Sequence, residues 1–356
     1  MSIIQLCQAD MIGNICAALP AQNKNKQTNK HYLAFSLYPF PVFCNFVGEM
    51  KKQAKPFVKW AGGKGQLLTQ LSDNLPQILS EQQFTYIEPF VGGGAMLFHM
   101  LQVFPNIKRV VINDINPHLT TAYSVIRDMP TELISRLYEL EHTYLALEDE
   151  EKKKAFYLSI RTIFNEKTMD DVDRAKYLIF LNRTCFNGLY RENSKGKFNV
   201  PFGSYLRPTI CNEDTILADS ELLNQADVVI LNGDFEQTIN HIDERSLNFF
   251  YFDPPYRPLS ATSSFNSYVK EVFNDNEQIR LRDYCKRLDE MGALWMLSNA
   301  DCSAKNPEDL FFEIAYQNFI MKRVYASRSI NANPNKRGKL TELLINNYQH
   351  ERNVLI

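Results

Sequence analysis

The sequence predicts an α/β protein built on a doubly wound sheet, interrupted by an inserted segment of helices and a hairpin. Three observations predict it. From residue 84 onward, apolar runs of strand length alternate with helical stretches, the pattern of β-α-β units on a mostly parallel sheet. One run ends in Gly92, Gly93 and Gly94, at the strand-to-helix turn where such sheets hold their ligands. Between residues 131 and 214 the alternation stops: helical pattern runs to roughly residue 181, then an aromatic, basic, glycine-containing stretch follows.

In chain order, Phe84–Glu88 reads as a buried strand with a helix over Ala95–Val103 behind it, and Arg109–Asp114 as a second strand followed by a helix over His118–Arg127. Later strands are expected at Asp227–Leu231, Leu247–Phe252, Ala293–Ser298, Phe319–Tyr325 and Glu342–Asn347, with an amphipathic helix over Glu277–Met291. Residues 1–49 differ: they carry three of the seven cysteines, a polar patch at 22–30 and no clear periodicity. They read as an extension dispensable for chemistry, with Met50 as an alternative start. The expected domains are therefore this extension, a catalytic domain made of 50–130 and 215–356, and a target-recognition domain over 131–214.

A hydrophobic content of 45% and a charged content of 22% describe a globular chain. Net charge of −2 does not by itself suggest a nucleic-acid partner, and its distribution matters more. Lys51, Lys52, Lys55, Lys59 and Lys64 stand without an acid among them. Arg183, Arg191, Lys195, Lys197 and Arg207 face only Glu192. Lys322, Arg323, Arg328, Lys336, Arg337 and Lys339 are unopposed. Three basic stretches on a slightly acidic chain suit a phosphate-binding cleft, although each alone would pass for a solvated loop. The cysteines form no metal spacing, so no metal is expected and a reduced compartment is the simplest reading. No apolar run nears the roughly 20 residues that span a bilayer, and Pro39 and Pro41 break the apolar stretch Leu33–Val47, which lacks the flanks of a secretory signal.

Two motifs carry chemistry. Glycines in the run Glu88-Pro-Phe90-Val-Gly92-Gly-Gly94 let backbone approach a ligand with no Cβ between. Asp114, at the end of the second strand, stands where doubly wound folds hydrogen-bond a ribose. The third glycine of the dinucleotide fingerprint is missing, which weakens a nicotinamide or flavin reading. Gly62-Gly-Lys-Gly65 is not a P-loop, because Gly65 stands where a magnesium-binding Ser or Thr belongs. The second motif is Asp253-Pro254-Pro255-Tyr256, directly after an apolar strand. Its prolines fix the backbone and present the Asp253 carboxylate and outward carbonyls as rigid acceptors, with a ring beyond. An exocyclic amine needs such acceptors. Its lone pair is delocalised into the base, and gripping both N–H groups pulls the nitrogen towards tetrahedral geometry, ready to attack a methyl sulfonium. Tyr256 suits stacking on a base flipped out of the duplex.

With these residues in place the chain resembles the Dam family of adenine-N6 DNA methyltransferases, from Lys55 to Tyr348. The motifs that carry the resemblance are Phe57-Val-Lys-Trp-Ala-Gly-Gly-Lys64, Glu88–Gly94, Asn182-Arg-Thr-Cys-Phe-Asn-Gly-Leu-Tyr-Arg191, Phe198-Asn-Val-Pro-Phe-Gly203 and Asp253–Tyr256. The resemblance implies a Rossmann-like methyltransferase sheet, S-adenosylmethionine as cofactor and double-stranded DNA as substrate. It implies that Trp60, Lys64, Asp114 and Asp253 contact the cofactor, with Glu88, Phe90, Gly92 and Gly94 in its loop. Asp234 and Phe235 resemble the pair that receives its adenine. Asp253 through Tyr256 would hold the target adenine. Lys59 and Arg191 match base-contacting positions, Phe186 and Asn187 those that wedge beside the flipped base, and Pro201 the hairpin that enters the groove. Arg183, Lys195 and Lys197 complete the expected DNA-binding set, the two lysines as phosphate contacts. A bidentate Arg suits guanine, and relatives with this segment act on GATC.

The resemblance also implies a bacterial cytosolic enzyme, acting either as an orphan or beside a restriction endonuclease of the same site. A cytosine-N4 methyltransferase would usually carry Ser where Asp253 stands. A DNA-binding regulator without catalysis would not need the intact Asp-Pro-Pro-Tyr.

Overall fold

Every central strand buries both of its faces, and this fixes the architecture. The computed structural model describes residues 53–166, 168–258, 273–326 and 340–349. The extension 1–49, Lys51 and Lys52, and Arg328, Lys336, Arg337 and Lys339 of the third basic stretch lie outside them. The strands are β1 (Phe84–Glu88), β2 (Ile107–Asp114), β3 (Asp227–Asn232), β4 (Leu247–Phe252), β5 (Leu294–Ala300), β6 (Ile320–Ala326) and β7 (Leu340–Asn346). They form one sheet in the order β3-β2-β1-β4-β5-β7-β6. β3 to β5 pair in parallel, while β7 enters antiparallel between β5 and β6.

Side chains alternate across this sheet with period two. Tyr86, Val110, Ile112, Phe249, Tyr251, Met296 and Leu344 enter the core of one face. Ile87, Val111, Phe250, Phe252, Trp295, Leu297, Leu343 and Ile345 enter that of the other. Each phenylalanine of the wholly buried run Phe249–Phe252 contributes roughly 1.5–3 kcal/mol relative to exposure.

Helices cover both faces. α1 (Leu68–Ser72), α2 (Ala95–Val103) and α3 (Pro117–Asp128) pack on the first. α3 starts where the Asn116 side chain accepts the His118 N–H and Pro117 presets the first turn. The insertion supplies α4 (Pro130–Leu145), α5 (Glu150–Phe164), α6 (Asp171–Thr184) and the return helix α7 (Glu213–Gln225). Its Tyr144, Tyr157 and Phe180 join the same core as Tyr86 and Phe98, so the insertion is continuous with the sheet layer. α8 (Asp275–Glu290) and α9 (Phe311–Ala315) cover the opposite face through Leu281, Tyr284, Leu288 and Phe312.

Between α6 and α7 the chain forms an irregular hairpin, with antiparallel bridges pairing Cys185 with Phe202 and Glu192 with Phe198. Its tip turns on Asn193, whose side chain accepts the N–H groups of Lys195 and Lys197. The fold is the α/β class expected. α7 is an addition: its first turn, Glu213-Asp-Thr, is polar and its apolar spacing irregular, so periodicity did not mark it.

Candidate active site

The carboxyl ends of β1, β2 and β4 converge on one edge, the place where an open α/β sheet binds ligands. β1 ends at Glu88, a buried carboxyl that accepts the Tyr86 hydroxyl at 2.8 Å. Burial pushes it well above the usual carboxylate range, and the negative charges of Asp253 and Asp114 push the same way. The glycine loop follows. Gly92 and Gly94 adopt φ values of 49° and 78°, in the left-handed region. A Cβ on Gly92 would lie 2.9 Å from the Trp60 ring, and one on Gly94 would lie 2.4 Å from the Tyr123 hydroxyl. Trp60 therefore lies against the loop at a distance that only glycine permits, and its other neighbour is Tyr190, with ring centroids 5.1 Å apart.

Asp114, at the end of β2, accepts the Gly92 N–H at 3.0 Å and the Asn116 N–H at 2.8 Å. Burial raises its pKa to about 6 against those two bonds. The carboxylate thus braces the glycine loop and keeps further lone pairs for a ligand. Ile115 beside it is 66% exposed, an apolar surface at the mouth that the sequence reading did not single out.

Asp234 and Phe235 follow β3 differently from expectation. Asp234 is engaged twice by Arg280, at 3.0 and 2.7 Å. Phe235 is buried, with the Arg280 guanidinium 4.3 Å above its ring and Phe90 beside it at 5.3 Å. That face of the ring is covered by protein.

β4 delivers Asp253. The Lys64 ammonium, buried on a short 3-10 turn, lies 2.7 Å from Asp253 Oδ1 and donates to the Gly62 carbonyl at 2.8 Å. It also sits 4.6 Å from the Tyr256 ring centre. Burial raises the Asp253 pKa to about 6, while the Lys64 charge and its hydrogen bond hold it down. The Tyr256 hydroxyl donates to Glu342 on β7 at 2.6 Å.

The loop itself is clamped. The buried Gln278 amide donates to the Pro255 carbonyl at 3.0 Å and accepts from the Asn299 amide at 3.0 Å. One of the carbonyls expected to face outward is therefore bound inward. Arg257 closes the loop on Asp275 and Asp309, at 2.7 and 2.6 Å. Glu342, Gln278, Asn299 and Arg257 were not in the expected site. They lie outside the motifs or, for Arg257, one residue beyond one, and only the fold brings them together.

The expected DNA-contacting residues gather on the hairpin and the segment beside Trp60. Buried Asn182 joins the two: its amide donates to the Lys59 and Gly188 carbonyls, and its oxygen accepts the Lys59 N–H. Lys59 is exposed, with its ammonium 5.3 Å from the Tyr205 ring. Phe186 is 51% exposed, and Asn187 has a φ of 56°, the one left-handed non-glycine among the described residues. Arg191 is exposed and held by Asn199, whose side chain accepts its Nε–H at 2.8 Å. Lys195, Lys197 and Pro201 are exposed. Arg183 instead turns inward to donate to the Phe57 carbonyl at 2.8 Å. Lys59, Arg183, Tyr205 and Arg207 line a basic hollow of about 340 Å³.

Among the described residues no group of three or more His, Cys, Asp or Glu could hold a metal ion, and no helix is long and apolar enough to cross a membrane. Cys185, Cys211, Cys285 and Cys302 are buried free thiols.

The chain is similar to known proteins. Residues 60–330 match the model of the D12 class N6 adenine-specific DNA methyltransferases. A relative from Methanocaldococcus jannaschii, the type II methyltransferase M.MjaIII, is 48% identical over 300 residues, 83% of this chain and all of its own. The type II methyltransferase M1.LlaDCHI of Lactococcus lactis subsp. cremoris is 38% identical over 307 residues, 85% of this chain and 99% of its own. The DNA adenine methylase of Escherichia coli K12 is 30% identical over 297 residues, 82% of this chain and 95% of its own. The Asp253–Tyr256 loop after β4 and the glycine turn after β1 both fall within the matched region, and the chain belongs to the D12 class of N6 adenine-specific DNA methyltransferases.

Proposed function

We propose that this enzyme transfers a methyl group from S-adenosylmethionine to N6 of adenine within GATC in duplex DNA. The observation that carries this reading is the 2.7 Å contact between Lys64 and Asp253. It ties the segment beside the glycine loop to the acceptor that would grip the amine, so that both reacting partners meet at one edge of the sheet.

The residues fit the cofactor. Gly92 leaves open the space a Cβ would close against Trp60, and Asp114 lies at the loop with lone pairs to spare for a ribose. When bound, S-adenosylmethionine supplies an electrophilic methyl on a cationic sulfur. Trp60, Lys64, Asp114, Glu88, Phe90, Gly92 and Gly94 are assigned to its pocket. Phe235 contributes a buried wall rather than an open face, and Asp234 reaches a ligand only beside Arg280.

Asp253 accepts one N–H of the target amine. Because Gln278 occupies the Pro255 carbonyl, the Pro254 carbonyl is assigned the other. Rigid acceptors lower the barrier by being in place before charge develops. Tyr256 packs on the flipped base. Residues 131–214, with Lys59 of the segment beside Trp60, read the DNA: Arg191 and Lys59 address bases, Phe186 and Asn187 fill the gap left by the flipped nucleotide, Pro201 enters the groove, and Lys195 and Lys197 meet phosphates. Arg183 supports the Lys59 segment from within. A bacterial cytosolic setting suits the reaction, and a restriction endonuclease of the same site is a partner in function only.

The test uses tritiated cofactor and duplexes with or without GATC, digested to nucleosides after reaction. Label in N6-methyladenine, confined to GATC duplexes, is the expected result. Label in N4-methylcytosine, or equal label in both duplexes, would overturn the proposal.

A further inference from the structure

We propose that Glu342 is a positioning residue for methyl transfer, holding Tyr256 by its hydroxyl and Lys64 by its charge so that ring and acceptor are set as one unit. The inference rests on assigning Asp253 to the target amine.

Glu342 reaches the site because of the direction of its strand. β7 runs antiparallel to β5, pairing Glu342 with Ala300 and, on its other side, with Val324. The first residues of β7 therefore lie at the edge where the parallel strands end. A parallel strand in that slot would have placed them at the opposite edge. The Glu342 side chain is 13% exposed. Its Oε2 accepts the Tyr256 hydroxyl at 2.6 Å and lies 4.0 Å from the Lys64 ammonium. The same ammonium is 2.7 Å from Asp253.

Charge balance does not explain this residue. Lys64 and Asp253 already neutralise one another, and a second carboxylate in a mostly buried place carries a desolvation cost. Its surplus charge is spent on a hydroxyl, and through that hydroxyl on the orientation of a ring. A tyrosine ring hinged at Cβ and pinned at its oxygen loses its swing about χ1. The same hydroxyl also reaches Asp253, so that ring and carboxylate are held by one network. The groups facing Asp253 are Lys64 from the 3-10 turn, Glu342 from β7, Tyr251 from β4, Tyr86 and Glu88 from β1 and Tyr256 on its own loop. Of these Lys64 and, more weakly, a hydrogen bond from Tyr256 stabilise its ionised form, whereas Glu342 opposes it. Removing the Glu342 charge while keeping an acceptor should thus ease ionisation of Asp253.

The experiment compares Glu342→Ala, Glu342→Gln, Tyr256→Phe and the double variant Glu342→Ala/Tyr256→Phe in the full chain. Single-turnover rates, equilibrium binding of S-adenosylmethionine and of a GATC duplex, and thermal melting are measured for each. Expected are a tenfold or greater loss of rate in Glu342→Ala with both affinities within threefold of wild type, and recovery of at least a third of the wild-type rate in Glu342→Gln. The double variant should be no slower than the slower single one, since both remove one contact. The acid limb of the Glu342→Gln profile should move to lower pH by about half a unit or more, a change in ionisation that loosened packing does not produce. Should Glu342→Ala fail to fold, that limb and the Tyr256→Phe rate decide the matter. A wild-type rate in Glu342→Ala, or an unmoved acid limb in Glu342→Gln, would overturn the role of Glu342 provided Asp253→Ala is inactive. An active Asp253→Ala would instead remove the reading beneath it.

Discussion

The Lys64 ammonium and the Asp253 carboxylate lie 2.7 Å apart, although 189 positions separate them in the chain. The contact joins the first motif of the sequence to the last. Substituting Lys64 by Met keeps the length and apolar stem but removes the charge, leaving Asp253 among Glu342 and Glu88 without the cation that holds its pKa down. The acid limb of the turnover profile should then move up from its wild-type position, since loss of an attractive charge favours the protonated acid. An unchanged limb, measured under saturating cofactor and DNA, would separate Lys64 from the function of Asp253.

For the wild-type enzyme the pH dependence follows from Asp253 itself. Its carboxyl titrates near 6, raised by burial, and only the ionised form accepts an amine N–H with both oxygens. Turnover should be level above pH 7 and fall about tenfold per unit well below 6. Single-turnover rates across pH 5 to 8.5 check this, and a profile flat down to pH 5 would contradict it.

Asp219 on α7 gives a stability prediction. Its side chain is fully buried, with Oδ1 accepting the Lys55 N–H at 3.0 Å and Oδ2 without a partner among the described residues. Burial raises its pKa to about 8, far above its unfolded value of about 3.9. The folded state therefore binds the proton more tightly, and the group takes stability away as pH rises from 4 to 8. Asp219→Asn should raise the melting temperature by roughly 2 °C or more at pH 8, with the gain shrinking towards pH 4. Equal melting temperatures at pH 8 would show that the carboxylate finds a partner there.

Arg191 and the hairpin lysines should separate cleanly. Arg191→Ala is expected to lose about ten- to a hundredfold in discrimination at one guanine-bearing position. Lys195→Ala and Lys197→Ala should weaken binding to all sequences alike and flatten its salt dependence. Specificity constants on GATC and singly substituted duplexes, at two salt concentrations, distinguish the two behaviours. A proportional loss on every duplex in Arg191→Ala would make that residue a backbone clamp. Asn199, which holds its Nε–H, gives the guanidinium a preset direction for the contact.

A chain beginning at Met50 should methylate GATC duplexes as the full chain does, because every motif lies downstream. Loss of activity on truncation would assign residues 1–49 a structural part.

Much of the fold was legible because strands buried on both faces announce themselves as short apolar runs. Phe84–Glu88, Ala95–Val103 and Leu247–Phe252 were read with their observed bounds. Other ends shifted by one or two residues, in several cases where a ladder or helix ran on past its apolar core: β2 begins at Ile107 rather than Arg109, and β5 continues to Ala300. Strand order was not legible, since period-two alternation is the same for either direction, and the antiparallel entry of β7 is what brings Glu342 to Tyr256. Gln278, Asn299 and Arg257 stayed hidden for a related reason. A buried amide pair or an arginine on two aspartates has no local signature, only partners far along the chain. Arg183 misled in the opposite direction, because position in a basic motif does not say whether a guanidinium faces solvent or the Phe57 carbonyl.

The most direct test is the single-turnover rate of Asp253→Ala on a GATC duplex at saturating S-adenosylmethionine, with duplex affinity measured alongside. Loss of a preorganised acceptor should cut the rate by about a hundredfold or more, with DNA binding within a few fold of wild type. A rate above a tenth of wild type would contradict the assignment of Asp253 to the target amine, and with it the account of the Lys64 contact as the heart of the site.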